Sequence, residues 1–310
     1  MKTDLLAAFE ARKEKLFFYS PYSFIREEGK KENILSLLKQ HLVDEVAIHN
    51  YHTIDIQGNN YFFLSKNLSW DSDYFNFSVS KLQTILFANQ SYKNIELAIQ
   101  HWKNIFFSSQ TKQYCFAEVP AEDIILLQAF TANGFRLVET RLHYYKSSIK
   151  NFDYQQFSVK EATENDIPNL RKVAMEARND YDRLHADFYF DNQIADNYLA
   201  TYAENAVKGF ADSVLIPDDE SPADCFLAIA YTEERSLGIK VSRILLTAVL
   251  PTRKGWHLKL VAETTQAAKK NNCEYILMTT QATNKAVFRT TEKLGYQLGS
   301  TSHILVFQNF

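Results

Sequence analysis

Residues 242–250, SRILLTAVL, run into a basic turn at 251–259, PTRKGWHLK, and then into the helix-patterned stretch 260–270, LVAETTQAAKK. A second strand-like run, EYILMTT (274–280), leads to QATNKAVFRTTEKLGY (281–296). The order is strand, glycine-bearing basic turn, helix, strand, helix and terminal glycine. A turn that delivers a strand into a helix leaves backbone N–H groups facing outward, together with the positive end of the helix dipole. That arrangement suits a phosphate-bearing ligand. Arg253, Lys254, His257 and Lys259 add positive charge at the same place.

The bulk composition narrows the class. The chain has 310 residues, enough for two domains with substantial cores. Its 34 Lys and Arg stand against 37 Asp and Glu, so no basic field argues for nucleic acid. The N-terminal stretch carries Asp4, Glu10, Arg12 and Lys13 where a signal peptide needs an apolar run. No window is long and apolar enough for a membrane span. Three widely spaced cysteines, Cys115, Cys225 and Cys273, suggest neither a disulfide frame nor a metal site. A soluble cytoplasmic α/β protein without a metal is expected.

Reading outward, the first half suggests helices around Leu5–Leu16 and Asn33–His41. Strands are expected near Val46–Ile56 and Tyr61–Leu68, turned by Gly58-Asn59-Asn60, with a further strand near Ser78–Phe87. Residues 93–107 form an amphipathic helix with Ile95, Ala98, Ile99, Trp102 and Ile105 on one face. The polar stretch Lys146–Tyr154 reads as a linker, giving domains over 1–150 and 155–310. Thr163, three residues before Asp166, is the expected N-cap of the next helix. Tyr114–Tyr145 overlays Tyr275–Val306 without a gap, at a constant offset of 161 residues. The matched pairs are Tyr114/Tyr275, Ala121/Ala282, Gly134/Gly295, Leu137/Leu298 and Thr140/Thr301. A glycine past a helix end takes the left-handed conformation, which gives the matched Gly134-Phe135 and Gly295-Tyr296 a physical reason. The first half therefore reads as a degenerate copy of the second.

The 242–296 stretch resembles the acyl-CoA-binding core of the GCN5-related N-acetyltransferases. Their turn reads roughly P-x-x-R-G-x-G-x-G/A, against Pro251, Lys254, Gly255, His257 and Lys259 here. Their later segment reads N-x-x-A-x-x-x-Y-x-K-x-G-F, against Asn284, Ala286-Val287, Thr291, Lys293, Gly295 and Tyr296. The resemblance implies a mixed twisted sheet flanked by helices, preceded by a smaller degenerate α/β domain of the same type. It implies that Thr247–Leu250, with Ala248 and Val249 between them, bind a pantetheine arm through their backbone. Lys254, Gly255, Trp256, His257, Leu258 and Lys259 would meet the pyrophosphate; Asn284 would contact the cofactor, and an asparagine at a helix start is equally a good cap. Thr291 stands where the family places a tyrosine that protonates the departing thiolate. His257 and Lys259 replace loop glycines and could crowd the pyrophosphate.

Two further segments resemble the TDP-fucosamine acetyltransferase type. SWDSDYFNFSVSKL (69–82) is similar to its W-D-S-x-F-F-G-F segment, with Asn76 at the glycine position. DRLHADFYFDNQIADNYLATYAENAVKGFADSVLI (182–216) is similar to its S-R-F-H-x-D-P-x-F … Y-x-x-W-x-x-N-S segment, through Arg183, His185, Asp187, Phe190, Tyr198 and Asn205. On that likeness Arg183 and Asp187 would bind the acceptor, and His185 would take its proton. Trp70 is expected to be a core anchor, and His303 to sit on a solvent or interface face of the last strand. The implied activity is acetyl transfer from acetyl-CoA to the primary amine of a small molecule, such as a nucleotide-linked amino sugar. A homodimer is left open. The joint loss of loop glycines and tyrosine sustains an alternative, a catalytically inactive binding protein on the same fold.

Overall fold

The computed structural model describes residues 2–27, 29–47 and 51–310. In chain order, α1 (Lys2–Leu16) and α2 (Lys30–Ala47) precede the hairpin β1 (Tyr51–Ile56) and β2 (Asn59–Asn67). Next come α3 (Ser69–Phe75), β3 (Ser78–Phe87), α4 (Tyr92–Phe106), β4 (Gln113–Pro120), α5 (Ile124–Ala132) and β5 (Arg136–Lys146). The second half holds β6 (Val159–Glu161), α6 (Ile167–Glu176), α7 (Asn192–Asn205), β7 (Ser213–Pro217), β8 (Cys225–Glu234) and β9 (Ile239–Val249). It closes with α8 (Trp256–Lys270), β10 (Tyr275–Gln281), α9 (Lys285–Leu294) and β11 (Gln297–Gln308). These elements form two compact units, residues 1–141 with 300–310 and residues 142–299. The division falls within β5 and β11. The expected linker at 146–154 is instead packed into the second unit, where Ile149 and Phe152 are buried in the core. These apolar side chains, three residues apart across a short helical turn, outweigh the polar residues around them.

In the first unit the described strands run in the order β1-β2-β3-β4-β11-β5. Residues Ser302–Gln308 of the C-terminal strand pair antiparallel with Tyr114–Pro120. Of the strand expected over Val46–Ile56, Tyr51–Ile56 is strand, Val46 and Ala47 belong to α2, and residues 48–50 lie outside the described residues. The hairpin turns at Gln57-Gly58, both with positive φ, which matches the right-handed twist of the flanking strands. α4 carries the chain from β3 to its parallel neighbour β4. Ile95, Ala98, Ile99 and Trp102 of α4 are buried against the sheet, with Trp102 stacked on Phe63 at 5.0 Å. Ile105 is exposed, contrary to expectation. Phe106, four residues after Trp102, takes that place and stacks on it at 4.7 Å. Trp70 is likewise on the surface, because 69–75 forms a helix rather than a strand; its ring stacks on Tyr74 at 5.9 Å. Asn76 ends that helix at φ 56°, ψ 36°, a left-handed conformation that asparagine tolerates better than most residues. His303 is half-buried and bonded to Thr140 Oγ1 at 3.0 Å, while Ile304, Leu305 and Val306 are all buried. Both faces of β11 are therefore covered over residues 302–306.

In the second unit the described order is β5-β10-β9-β8-β7-β6. Thr163 and Asp166 form a reciprocal capping box at the turn leading into α6. One apolar cluster, with Leu260, Val261, Ile276 and Leu294, draws on α8 and α9. The other, with Leu170, Val173, Ala203 and Phe226, draws on α6 and α7.

The 161-residue offset holds in three dimensions. α5 begins at Ile124 and α9 at Lys285; β5 begins at Arg136 and β11 at Gln297. Both helices end in the same motif. Phe135 N–H bonds Phe130 O and Gly134 N–H bonds Thr131 O; Tyr296 N–H bonds Thr291 O and Gly295 N–H bonds Glu292 O. The glycines take φ of 80° and 69°. Either glycine changed to alanine is expected to destabilise the protein by about 1 kcal/mol, because a Cβ strains the left-handed region. Chemical denaturation would read this as a lowered midpoint with an unchanged slope.

Candidate functional site

One residue shapes the site. Against β8, β9 pairs Ile229 with Ile244 and Ala228 with Leu246, so Leu245 is an extra, bulged residue. A bulge bends its strand and sharpens the local twist. On the other side, β9 pairs in parallel with β10 only as far as Ile244 opposite Met278. Beyond that point the two strands part. A cleft of about 200 Å³ opens there, bordered by Leu246, Thr247 and Ala248 on one side and Thr279, Thr280 and Gln281 on the other. Leu250 N–H is bonded to Asp224 O at 3.2 Å. In an antiparallel ladder the bonded residues alternate, so Thr247 and Val249 turn their N–H and C=O away from β8 and toward the cleft. Leu250 spends its N–H inside the sheet, and Ala248 contributes cleft wall.

The turn after β9 separates the basic residues by role. Gly255 has φ 97° and precedes α8, whose start has no side-chain cap. The first N–H groups of a helix have no partner within the helix, which leaves those of α8's opening turn, at Trp256, His257 and Leu258, available to an anion. Lys254 is exposed beside them. Arg253 is held by Asp219 at 2.9 Å and by Asp224. Lys259 lies over the rings of Trp256, at 4.5 Å, and Phe157, at 5.4 Å. His257 turns toward α9, where its Nδ1 meets Thr290 Oγ1 at 2.9 Å. The expected crowding by His257 and Lys259 therefore does not arise, since both side chains are drawn to neighbouring packing partners.

At the other cleft wall, Asn284 Oδ1 accepts the Val287 N–H at 3.3 Å and caps α9. Asn284 also borders the cleft. Thr291 is 1% exposed, and its hydroxyl donates to Phe288 O at 2.8 Å. It is packed inside the unit with its hydroxyl spent on the helix backbone.

The segment after α6 forms a charged cluster. Arg178 bonds Asp196 at 2.8 Å and Asp180 at 3.1 Å. His185 sits between two carboxylates, with Nδ1 at 2.6 Å from Asp182 and Nε2 at 3.1 Å from Asp196. Burial opposes its charge, but the two carboxylates outweigh that and raise its pKa. With both ring nitrogens engaged, His185 holds the loop together. Arg183 and Asp187 are buried, and Asp187 Oδ1 accepts the Tyr189 N–H at 3.3 Å. The residues of this segment that border the cleft are Arg178, Asn179 and Asp182, with Asn179 Nδ2 bonded to Gln281 Oε1 at 2.7 Å. Sequence reasoning missed them. The polar strand end Thr279-Thr280-Gln281 was the one available signal, as a run that a fully paired strand would not carry. Among the described residues no cluster of His, Cys, Asp or Glu could hold a metal, and no helix is long and apolar enough to cross a membrane.

The mixed sheet with helices on its faces matches the fold of GCN5-related N-acetyltransferases. One such protein from Sphaerobacter thermophilus superposes with a TM-score of 0.52 at 9% identity, over 80% of this chain and 76% of its own. A conserved protein of unknown function from Staphylococcus epidermidis gives 0.52 at 12% identity, over 84% and 95%. A GCN5-related glucosamine N-acetyltransferase region in a fungal multi-domain β-N-acetylglucosaminidase gives 0.53 at 12% identity, over 96% of this chain and 37% of that one. The sequence itself matches no family model and no curated protein.

Burial lowers the His257 pKa to about 4. Between the ordinary value of 6.5 and about 4, the unfolded chain binds this proton and the folded one does not, so folding stability falls as pH drops through that window. The slope from this one group approaches 1.4 kcal/mol per pH unit at its steepest. His257→Gln is expected to flatten the fall of the denaturation midpoint between pH 6.5 and 4.

Proposed function

We propose that this chain moves an acetyl group from a CoA thioester to a primary amine. The observation that carries the reading is the parted β9 and β10, with the backbone edge of Thr247 and Val249 turned from β8 toward the parting, and the bare start of α8 following β9 after the turn at 251–255. The donor supplies the activated acyl carbon. Thr247 and Val249 orient its amide arm and polarise the thioester carbonyl through N–H groups already fixed in place. The α8 start and Lys254 meet its phosphates. Asn179, Gln281 and Asp182 border the space in which an acceptor amine would lie.

Acid–base help from side chains has a small part in this reading. His185 is tied to two carboxylates and Thr291 to its own helix, so the amine reacts in its neutral form and releases its proton to water. A thiolate leaves without protonation more readily than an alkoxide, which makes a missing acid tolerable. The likeness of residues 69–82 and 182–216 to the TDP-fucosamine acetyltransferase type favours a nucleotide-linked amino sugar as acceptor. The fungal relative that acts on glucosamine points to the same chemistry. A cytoplasmic setting, where CoA thioesters are made, suits the reading. The rival reading, a binding protein without turnover, draws on the lost tyrosine and predicts thioester binding with no transfer to any amine.

Calorimetry with acetyl-CoA tests donor binding. Lys254→Ala is expected to weaken it by roughly fivefold, the worth of one exposed charge at about 1 kcal/mol. Val249→Pro removes a cleft-facing N–H outside the ladder and is expected to cost about tenfold. No binding at millimolar donor would overturn the proposal. Where turnover is found, Thr291→Val should keep kcat within about threefold, whereas loss of a working general acid costs roughly 10²–10⁴.

A further inference from the structure

The first unit repeats the device that opens the cleft in the second. β3 and β4 pair in parallel as far as Leu82 opposite Ala117 and then part. Against β2, β3 pairs Leu82 with Ser65 and Thr84 with Leu64, so Gln83 is a bulged residue immediately after the last parallel pair. In the second unit Ile244 and Leu245 hold those two positions. Counting on, Thr84 falls where Leu246 falls, and Ile85 where Thr247 falls. The 161-residue offset places Asp123 on Asn284, and each precedes the first residue of its helix.

Leu246, Thr247 and Asn284 border an open cleft. Their three counterparts all hold one side chain. Arg12 of α1 donates through Nη1 to the carbonyl of Ile85, with Thr84 Oγ1 3.4 Å away, and through Nη2 pairs with Asp123 Oδ2. Tyr19 O–H donates to the same carboxylate oxygen at 2.7 Å. The guanidinium lies 4.4 Å from the centre of the Phe87 ring. Arg12 is 3% exposed and Asp123 0%. Gln90 donates to Ala11 O at 3.0 Å, tying α1 to the loop that opens α4. That loop, Ala88-Asn89-Gln90-Ser91, has neither the glycine nor the basic residues of its counterpart. A hollow of about 420 Å³ remains beside Arg12, but it reaches β3 only at Phe87.

We propose that α1 is a built-in occupant of the first unit's cleft. Arg12 takes the backbone and helix-cap positions that a ligand's amide arm would take in the second unit. The chain accordingly holds one thioester site, not two; this corollary rests on the proposed function, whereas the occupancy by α1 does not.

Two measurements test it. In a titration with acetyl-CoA, one molecule is expected per chain, with its affinity reduced by Lys254→Ala. A second equivalent, or binding insensitive to Lys254→Ala, would overturn the proposal. If no donor binds, the functional reading fails and thiol labelling decides the occupancy by itself. The native cysteines are all buried, so single cysteines at the equivalent positions, Thr84→Cys and Leu246→Cys, can be compared with a small maleimide. Thr84→Cys is expected to react at least tenfold more slowly, and to speed up when combined with Arg12→Gly in protein that keeps its circular dichroism. Equal rates for the two cysteines would refute the plug.

Discussion

The site depends on a single extra residue. A fully paired sheet has no gap between parallel neighbours, and every N–H and C=O along the shared edge is spent on the ladder. Leu245 breaks that condition. By inserting one residue into β9 against β8, it turns the strand away from β10 just past the Ile244–Met278 pair. The unpaired edge this leaves is costly in an apolar interior unless something hydrogen-bonds to it. The cleft is open and its edge residues are only partly buried, so water or a ligand can supply those partners there.

The same device in the first unit shows how that demand can be met from within. Gln83 bulges and β3 leaves β4, yet the carbonyl of Ile85 and Oδ2 of Asp123 are both bonded by Arg12. The difference between the two helix caps matters. Asn284 is neutral and can face an anionic ligand, whereas a buried Asp123 carboxylate would repel one. A buried carboxylate also requires a paired cation, since an unpaired charge costs several kcal/mol. Asp at the cap and Arg on α1 are therefore one choice, and each makes the other necessary.

Much of this was legible in the sequence, for reasons that differ by residue. The overlay at 161 residues worked because Gly134 and Gly295 answer a backbone requirement that few other residues meet, and both helix ends carry the same hydrogen bonds. Asn76 at a glycine position was readable on the same ground. The bulges were not legible, because Gln83 and Leu245 are ordinary strand residues and register depends on the partner strand. Side-chain destinations in the turn were hidden as well. His257 and Lys259 read as phosphate contacts by position, and only packing shows one bonded to Thr290 and the other over two rings. The role of Arg12 lay beyond any local pattern, since its partners are 72 to 111 residues away in the chain.

These placements bear on how much of a motif can be lost before its chemistry goes. Beside the polar side chains of Asn179, Asp182, Gln281 and Asn284, the site offers main-chain groups: the edge of Thr247 and Val249 and the opening turn of α8. A side-chain replacement leaves them intact if it keeps the bulge, the positive φ of Gly255 and the helix start. Histidine and lysine in place of loop glycines satisfy that condition, because α8 runs in ordinary helical conformation from Trp256 and their side chains find partners elsewhere. Threonine in place of a phenol removes an acid but no binding group, since Thr291 is buried within its helix packing. The departures from the motif that this sequence resembles thus fall where the geometry of the cleft is least sensitive to them.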